Sequence, residues 1–418
     1  MKIVRKICCG MDVHKNLIVA TIATTNQEGV TDYLQNSFSS QNYDLFKLKS
    51  WLKANDCFDV AMESTGKYWI PIFNVLEDEI NVFVVHPKYT KAIKGKKTDK
   101  KDSKWIADLF KHDLLRFSFI PPRNIRELRE LSRYRIKLVA MRSSERNRYQ
   151  NAMTVSNIGL ASILSDPFGK SAKAIMSEVL SSNSLDEAKI ASLLKSSAKK
   201  KLNAVLASLQ DSDIHSDQRL KMSVAFSHMS QLDEHIRSIE KDMLIRCLPL
   251  SFCFEHIMRL PGISLVSAMI IIAEIGVDMS VFSSDKQLCC WAGLAPTNNE
   301  SAGKKKSVRI SRAGTYLKPI LVQCALAAIA CKSEPYFSSK YLAIKKRRGH
   351  KKAIIAIARL MLTSIYHMIS TGEIFNPSDY DSFKNPKPPK SSYTPDSALA
   401  YLRSVGYDVS GVTLSSVS

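Results

Sequence analysis

Residues 7–15 read Ile-Cys-Cys-Gly-Met-Asp-Val-His-Lys, an apolar β-branched run that ends on a carboxylate, Asp12, before a short polar turn. The spacing predicts a strand over residues 3–11, a turn at His14, Lys15 and Asn16, and a second strand over residues 17–24. Outward from this hairpin, residues 43–53 have helical periodicity, residues 58–62 alternate as a short strand, and residues 81–85 form an apolar one. Strands that alternate with helices predict an α/β domain with a mixed sheet, placed at residues 1–120.

Beyond Pro121 and Pro122 the pattern turns helical for a long distance. Ile125, Leu128 and Leu131 step by three, and Met229, Leu232, Ile236, Ile239 and Met243 step by three and four. Such seams predict two long helices that pair as an antiparallel hairpin or across a dimer, or else cover a core. They define a helical coiled-coil region at residues 121–247, in which residues 162–216, rich in serine, lysine and alanine, read as a variable or mobile insertion. A third, mostly helical domain is expected at residues 248–372, followed by an extended, loosely attached tail at 373–418 with Pro386 and Pro389 at the ends of a Pro-Lys-Pro-Pro run.

With 60 Lys plus Arg against 39 Asp plus Glu, the chain of 418 residues carries a formal charge of +21, so a polyanion is the first partner to consider. The apolar stretches 265–273 and 319–331 fall short of the roughly 20 residues needed to cross a bilayer and read as core helices, so no membrane partner is expected. The N-terminus lacks an apolar run fit for a signal peptide, which predicts a cytoplasmic protein. Nine cysteines, never spaced as C-x-x-C, read as small buried hydrophobes with no zinc site.

Four carboxylates stand out. Asp12 follows the first strand, Glu63 ends another in Ala-Met-Glu-Ser-Thr, and Asp99 and Asp102 lie three apart at the start of a helical run, 103–115. Acids at the ends of neighbouring strands share a crevice, and a three-residue step puts both helical acids on one face. Four hard oxygen donors suit two divalent cations roughly 4 Å apart for phosphoryl transfer. Lys96, Lys97, Lys100 and Lys101 surround the helical pair and could meet a phosphate backbone. The plainer alternative is that Asp99 and Asp102 merely favour a helix N-terminus and that Asp12 serves a turn.

The segments Gly-Met-Asp-Val-His-Lys, Ala-Met-Glu-Ser-Thr and Lys-Thr-Asp-Lys-Lys-Asp-Ser resemble the DEDD transposases of bacterial insertion sequences, the one-hundred-and-ten family, with relatives among pilin-gene invertases and bridge-RNA-guided recombinases. The resemblance implies a RuvC-like domain of ribonuclease H fold, with Asp12, Glu63, Asp99 and Asp102 as catalytic Mg²⁺ ligands at two sites.

In the third domain, Leu260-Pro-Gly-Ile-Ser264 has the form of a helix-hairpin-helix, in which Gly262 would open backbone N–H groups to a phosphate, or of an ordinary helix turn. Farther on, Ser301 sits beside Ala302, Gly303, Lys304, Lys305 and Lys306, with Arg309 and Arg312 following. By itself this is a solvated basic loop. The block from Gly293 to Ala325 also resembles the family's transposase domain, and Ser301 then falls where that pattern has its nucleophilic serine; Ser307 and Ser311 are the fallbacks, and Ala302 departs from the glycine or serine expected there. Lys345, Lys346, Arg347 and Arg348 add a second basic strip.

The resemblance thus implies a transposase or site-specific recombinase that cuts and rejoins donor and target DNA through a serine nucleophile and Mg²⁺-binding carboxylates. A structured guide RNA and a homodimer that assembles to a tetramer are implied with it. The alternative is a metal-dependent, structure-selective endonuclease of junction-resolvase type, in which water attacks.

Overall fold

The computed structural model describes residues 2–87, 99–182, 186–210, 212, 214–296, 299–301, 304–307 and 309–377, with isolated positions between 399 and 409. The side chains of residues 99–100, 299–301 and 304–307 lie outside the description. The chain divides into two compact units, Met1–Pro121 and Pro122–Ser418.

The first unit is built on a six-stranded mixed sheet in the order β3-β2-β1-β4-β5-β6. Its strands are β1 (Ile7–Val13), β2 (Leu17–Thr25), β3 (Thr31–Ser39), β4 (Asp59–Glu63), β5 (Asn81–Val85) and β6 (Phe117–Ser118). The strands β1, β4 and β5 run parallel, and the others pair antiparallel to their neighbours. This mixed sheet with helices is compatible with the RuvC-like domain that the sequence resemblance implies. Period-two alternation sorts the side chains. Cys9, Met11, Val13, Val60 and Met62 bury one face against α1 (Asn42–Ala54) and α2 (Trp69–Leu76). Cys8, Ala61 and Val85 bury the other against Ile106, Ala107 and Phe110 of α3 (Asp99–Lys111). Burial pushes the thiols of Cys8 and Cys57 up to about 12, so both behave as apolar filler.

The structure differs from the sequence reading in several places, and the helix expected at 103–115 spans Asp99–Lys111. Strand β1 starts at Ile7 and runs through Asp12 to Val13. Strand β3 was not anticipated: most of its residues are exposed, so it lacks the apolar alternation that flags a strand, and its place comes from the ladder with β2.

The second unit begins with α4 (Arg123–Val155), a helix of 33 residues and therefore about 50 Å long. After an excursion through α5 (Leu160–Ile163), α6 (Lys170–Ser181), α7 (Glu187–Leu193) and α8 (Leu202–Leu209), the chain returns along α9 (Ser216–Cys247). Leu138 of α4 packs on Leu232 and Ile236 of α9. Ion pairs flank the seam: Arg246 with Glu127 at 2.6 Å, Arg135 with Glu240 at 2.6 Å, and Arg142 with Asp233 at 2.6 Å. Residue numbers rise on one helix as they fall on the other, which fixes an antiparallel pairing within the chain.

The segment 162–216 is no loose insertion. Ile175, Met176, Val179, Ile190, Val205 and Leu209 recur at helical spacing and close a small core of their own with Tyr149, Met153 and Met222. Its polar composition hid that stripe. The tail likewise contributes to packing, since Phe375, Leu402 and Val409 are buried in the main core of the second unit. Residues 378–398, with the Pro-Lys-Pro-Pro run, lie outside the described residues.

That core holds α10 (Ser251–Met258), α11 (Leu265–Ile275), α12 (Asp285–Trp291), α13 (Leu317–Ala330), α14 (Tyr336–Arg348) and α15 (His350–Thr371). Helix α15 is long and apolar enough to cross a membrane. Its residues Ile354, Ile357, Met361, Leu362 and Ile365 are buried in the protein interior instead.

An ionic clamp ties α4 to this core. Arg133 makes a two-pronged bond to the buried Glu274, Nε to Oε1 at 2.8 Å and Nη2 to Oε2 at 2.9 Å. Arg129 caps the end of α11 by donating to the carbonyls of Ala273 and Glu274. Removing one partner strands a buried charge, which typically costs ~3–5 kcal/mol. Arg133→Ala, which strands the buried Glu274, is expected to lower the unfolding free energy from urea titration by about 3–5 kcal/mol, and Glu274→Ala, which leaves the partly exposed Arg133, by less; wild-type stability in both variants would contradict the clamp.

Candidate active site

Strand β1 presents even-numbered residues to α3, so Asp12 shares the face of Cys8 and Gly10. Strand β4 lies parallel beside it with Met11 opposite Met62. One further step brings Asp12 level with Glu63, at a strand spacing of about 4.8 Å and on the same face. Asp12 is 8% exposed, and its Oδ2 is 3.2 Å from Nε2 of His14. Thr65 Oγ1 donates a long hydrogen bond, 3.5 Å, to Glu63 Oε1.

Helix α3 is seated directly over this pair. A Cβ on Gly10 would lie 2.3 Å from Ala107 N and 2.4 Å from Ser103 O, so strand and helix touch backbone to backbone. The carbonyl of Lys111 accepts from Val4 and Arg5, Cys8 meets Ala107, and Gly10 meets Ser103. The helix therefore runs against β1, and its first turn, Asp99 to Asp102, comes over the strand end that carries Asp12. Ser103 is pinned there: its Oγ lies 2.7 Å from Thr21 Oγ1, and Gln35 Nε2 donates to both hydroxyls. Asp102 is half-buried on this turn.

Backbone placement thus sets Asp12 level with Glu63 at the ends of the two central strands, with the first turn of α3, which carries Asp102, above the end of β1. Among the described residues no three His, Cys, Asp or Glu side chains come together as a metal cluster, and the side chain of Asp99 lies outside the description. The donor set, all carboxylate oxygen, fits a hard divalent cation. Of the neighbouring lysines, Lys96 and Lys97 lie outside the described residues, as does the side chain of Lys100. Lys101 is exposed, and the Lys104 ammonium stands 3.8 Å from the Tyr33 ring centroid.

The second unit carries the serine. Strands β7 (Asn299–Ser301) and β8 (Lys304–Ser307) form a two-stranded ribbon in which Ser301 pairs with Lys304 at the tip. At its base Pro296 bridges Ile310. Below that, two Ala-Gly turns interlock: a Cβ on Gly293 would meet Ala313 O at 2.4 Å, and one on Gly314 would meet Ala292 O at 2.1 Å. Both glycines have positive φ, which L side chains rarely adopt. Lys318, which the sequence reading overlooked, locks the same loop by donating to Ser311 O at 2.7 Å. Arg309 and Arg312 beside the ribbon are exposed, while the side chains of Lys304, Lys305 and Lys306 lie outside the description.

Gly262 sits between α10 and α11 with φ +81°, and a Cβ there would lie 2.4 Å from Cys324 O and Ala328 N. Packing against α13 therefore already demands the glycine, a reason that the sequence pattern did not reveal. Lys345, Lys346, Arg347 and Arg348 are exposed in the last turn of α14, where cations suit the helix dipole. Lys351 and Lys352, exposed in the first turn of α15, oppose that dipole with no acid beside them in the turn. A local structural benefit does not account for them.

A family model for DEDD transposases of IS110 type matches residues 9–157, and one described as transposase IS116/IS110/IS902 family matches residues 254–342. Together they span more than half of the chain. The chain belongs to the IS110 family of transposases. It is also 24% identical over 131 residues to a Sinorhizobium fredii protein named as a transposase, y4pF/y4sB. That match covers 30% of this chain and 34% of the relative's length. The first family match contains all four acids, and the second contains Gly262 and Ser301. The helices α5 to α8 between α4 and α9 fall outside both.

Because Gly10 leaves no room for a side chain, Gly10→Ala is expected to cost about 1–3 kcal/mol and to unseat the first turn of α3. Urea unfolding measures the cost, and a wild-type midpoint would show that the contact is not tight.

Proposed function

We propose that this chain is a DNA transposase of phosphoryl-transfer type, working through Asp12, Glu63, Asp99 and Asp102 in the first unit and Ser301 in the second. What supports the reading is that Asp12 and Glu63 stand level where two parallel strands end, beneath the start of α3 that carries the other two acids. Those carboxylates would hold Mg²⁺, with two sites expected; the bound cation offsets phosphate charge and stabilises the entering and leaving oxygens.

Ser301 is the proposed nucleophile. Its Oγ forms a new phosphoester as the bond to the leaving nucleoside oxygen breaks, and the serine proton ends on the released hydroxyl of the DNA. One phosphoester replaces another, so religation by the reverse step needs no outside energy source. Lys304, Lys305, Lys306, Arg309 and Arg312 counter the phosphate charge around the ribbon. Lys96, Lys97, Lys100 and Lys101 do so near the carboxylates, and Lys345, Lys346, Arg347 and Arg348 along a second surface. Gly262 opens backbone donors to phosphate at the start of α11.

Family membership supports pairing serine and carboxylates on one phosphodiester within an assembled dimer or tetramer. It also supports a structured guide RNA that selects donor and target DNA by base pairing, and a cytoplasmic, nucleoid-associated location. The domain limits follow the same reading: a RuvC-like domain to residue 120, a helical region to 247, the serine-bearing domain to 372, and a tail.

The test is adduct trapping with DNA spanning the element's ends. The wild-type chain is expected to give a denaturation-resistant protein–DNA adduct that Ser301→Ala abolishes, and Asp102→Asn is expected to slow cleavage by about a hundredfold or more. Full cleavage by Ser301→Ala would overturn the serine assignment in favour of hydrolysis by water. Wild-type rates in Asp102→Asn would overturn the carboxylate centre.

A further inference from the structure

The turn after Glu63 holds two exposed side chains, Lys67 and Tyr68, that the function proposed above leaves unused. This turn is built with care. Ser64 N donates to Val85 O at 2.8 Å, which carries the β4–β5 pairing one residue past the carboxylate. Thr65 N then donates to Glu63 O, Gly66 turns the chain with φ +56°, and Tyr68 N returns to Thr65 O. Helix α2 starts at the next residue, Trp69, and Trp69 packs edge-on against Phe73 at 5.8 Å between ring centroids.

Five residues after Glu63, a tyrosine is therefore fixed by backbone geometry and not carried on a loose loop. Its ring folds back over the turn, with Cε2 only 3.6 Å from the point where a Cβ on Gly66 would stand. It is nonetheless 43% exposed and is not part of the cores on either face of the sheet. An exposed, pre-positioned aromatic beside a lysine, at the carboxyl ends of parallel strands, has the chemistry of a nucleotide holder. The ring stacks on a base, whichever base it is, and the ammonium meets a phosphate.

We propose that Tyr68 and Lys67 hold one unpaired nucleotide of the DNA strand beside the carboxylates, Tyr68 by stacking on the base and Lys67 by contact with the phosphate. This makes them positioning residues for the strand to be cut, and the inference rests on the nuclease reading of Asp12 and Glu63. A flipped or single-stranded nucleotide is required, because a base stacked within a duplex offers no free face.

The full chain, kept in chelator so that no cleavage occurs, is irradiated with a single-stranded oligodeoxynucleotide that carries 5-iododeoxyuridine. The crosslink is expected in the peptide containing Tyr68. Tyr68→Ala should lose it and bind the oligonucleotide about tenfold more weakly. Tyr68→Phe and Lys67→Arg should behave as wild type, since stacking needs the ring and the phosphate needs a cation. A crosslink mapped elsewhere, wild-type binding by Tyr68→Ala, or equal loss in Tyr68→Phe would overturn the proposal. If Tyr68→Ala also forms the serine adduct at the wild-type rate, only this inference fails; a wild-type chain without cleavage and without an adduct would fail the parent reading.

Discussion

The close contact at Gly10 is the constraint on which the first unit depends. Helix α3 can bring its opening turn over the ends of β1 and β4 only because nothing projects from the strand at that point. The Thr21, Ser103 and Gln35 hydrogen bonds then fix how the helix sits along the strand, and Arg5 holds the far end by standing 4.2 Å from the Phe110 ring centroid and bonding to Asp113. Rigid elements, and not loops, thus set where the acid positions fall. That suits a site whose chemistry tolerates errors of only about half an ångström.

The second unit solves the same problem with the same residue type. Gly293 and Gly314 let two turns interpenetrate, each against the other's alanine carbonyl, and the ribbon with Ser301 at its tip rises from that junction. Farther out, the Arg133–Glu274 pair joins the long helix α4 to the core beneath the ribbon. Either glycine gains a side chain only at the expense of the base on which the serine stands, so their role is mechanical.

Much of this was legible in the sequence. Asp12 and Glu63 stood out because each closes a run of strand-like residues, and the heptad steps of Leu232, Ile236 and Ile239 announced a long paired helix. What escaped notice depended on contacts distant in sequence. Strand β3 owes its existence to the ladder with β2 and not to its own polar residues. The helices within 162–216 bury a thin apolar stripe that serine and lysine outnumber, and the tail's Phe375 and Leu402 declare themselves only against a core made by other segments. The glycine seats were invisible for the same reason: a glycine's necessity lies in its neighbour's backbone.

The proposed activity turns on joint binding of a divalent cation by the carboxylates at the strand ends. Titration of the full chain with Mn²⁺, followed by electron paramagnetic resonance, addresses it without recourse to cleavage. Saturable binding is expected, falling at least about tenfold when Asp12, Glu63 or Asp102 is replaced by its amide, because each removes one charged oxygen ligand. Undiminished Mn²⁺ affinity in the combined Asp12→Asn, Glu63→Gln, Asp99→Asn and Asp102→Asn variant would contradict it.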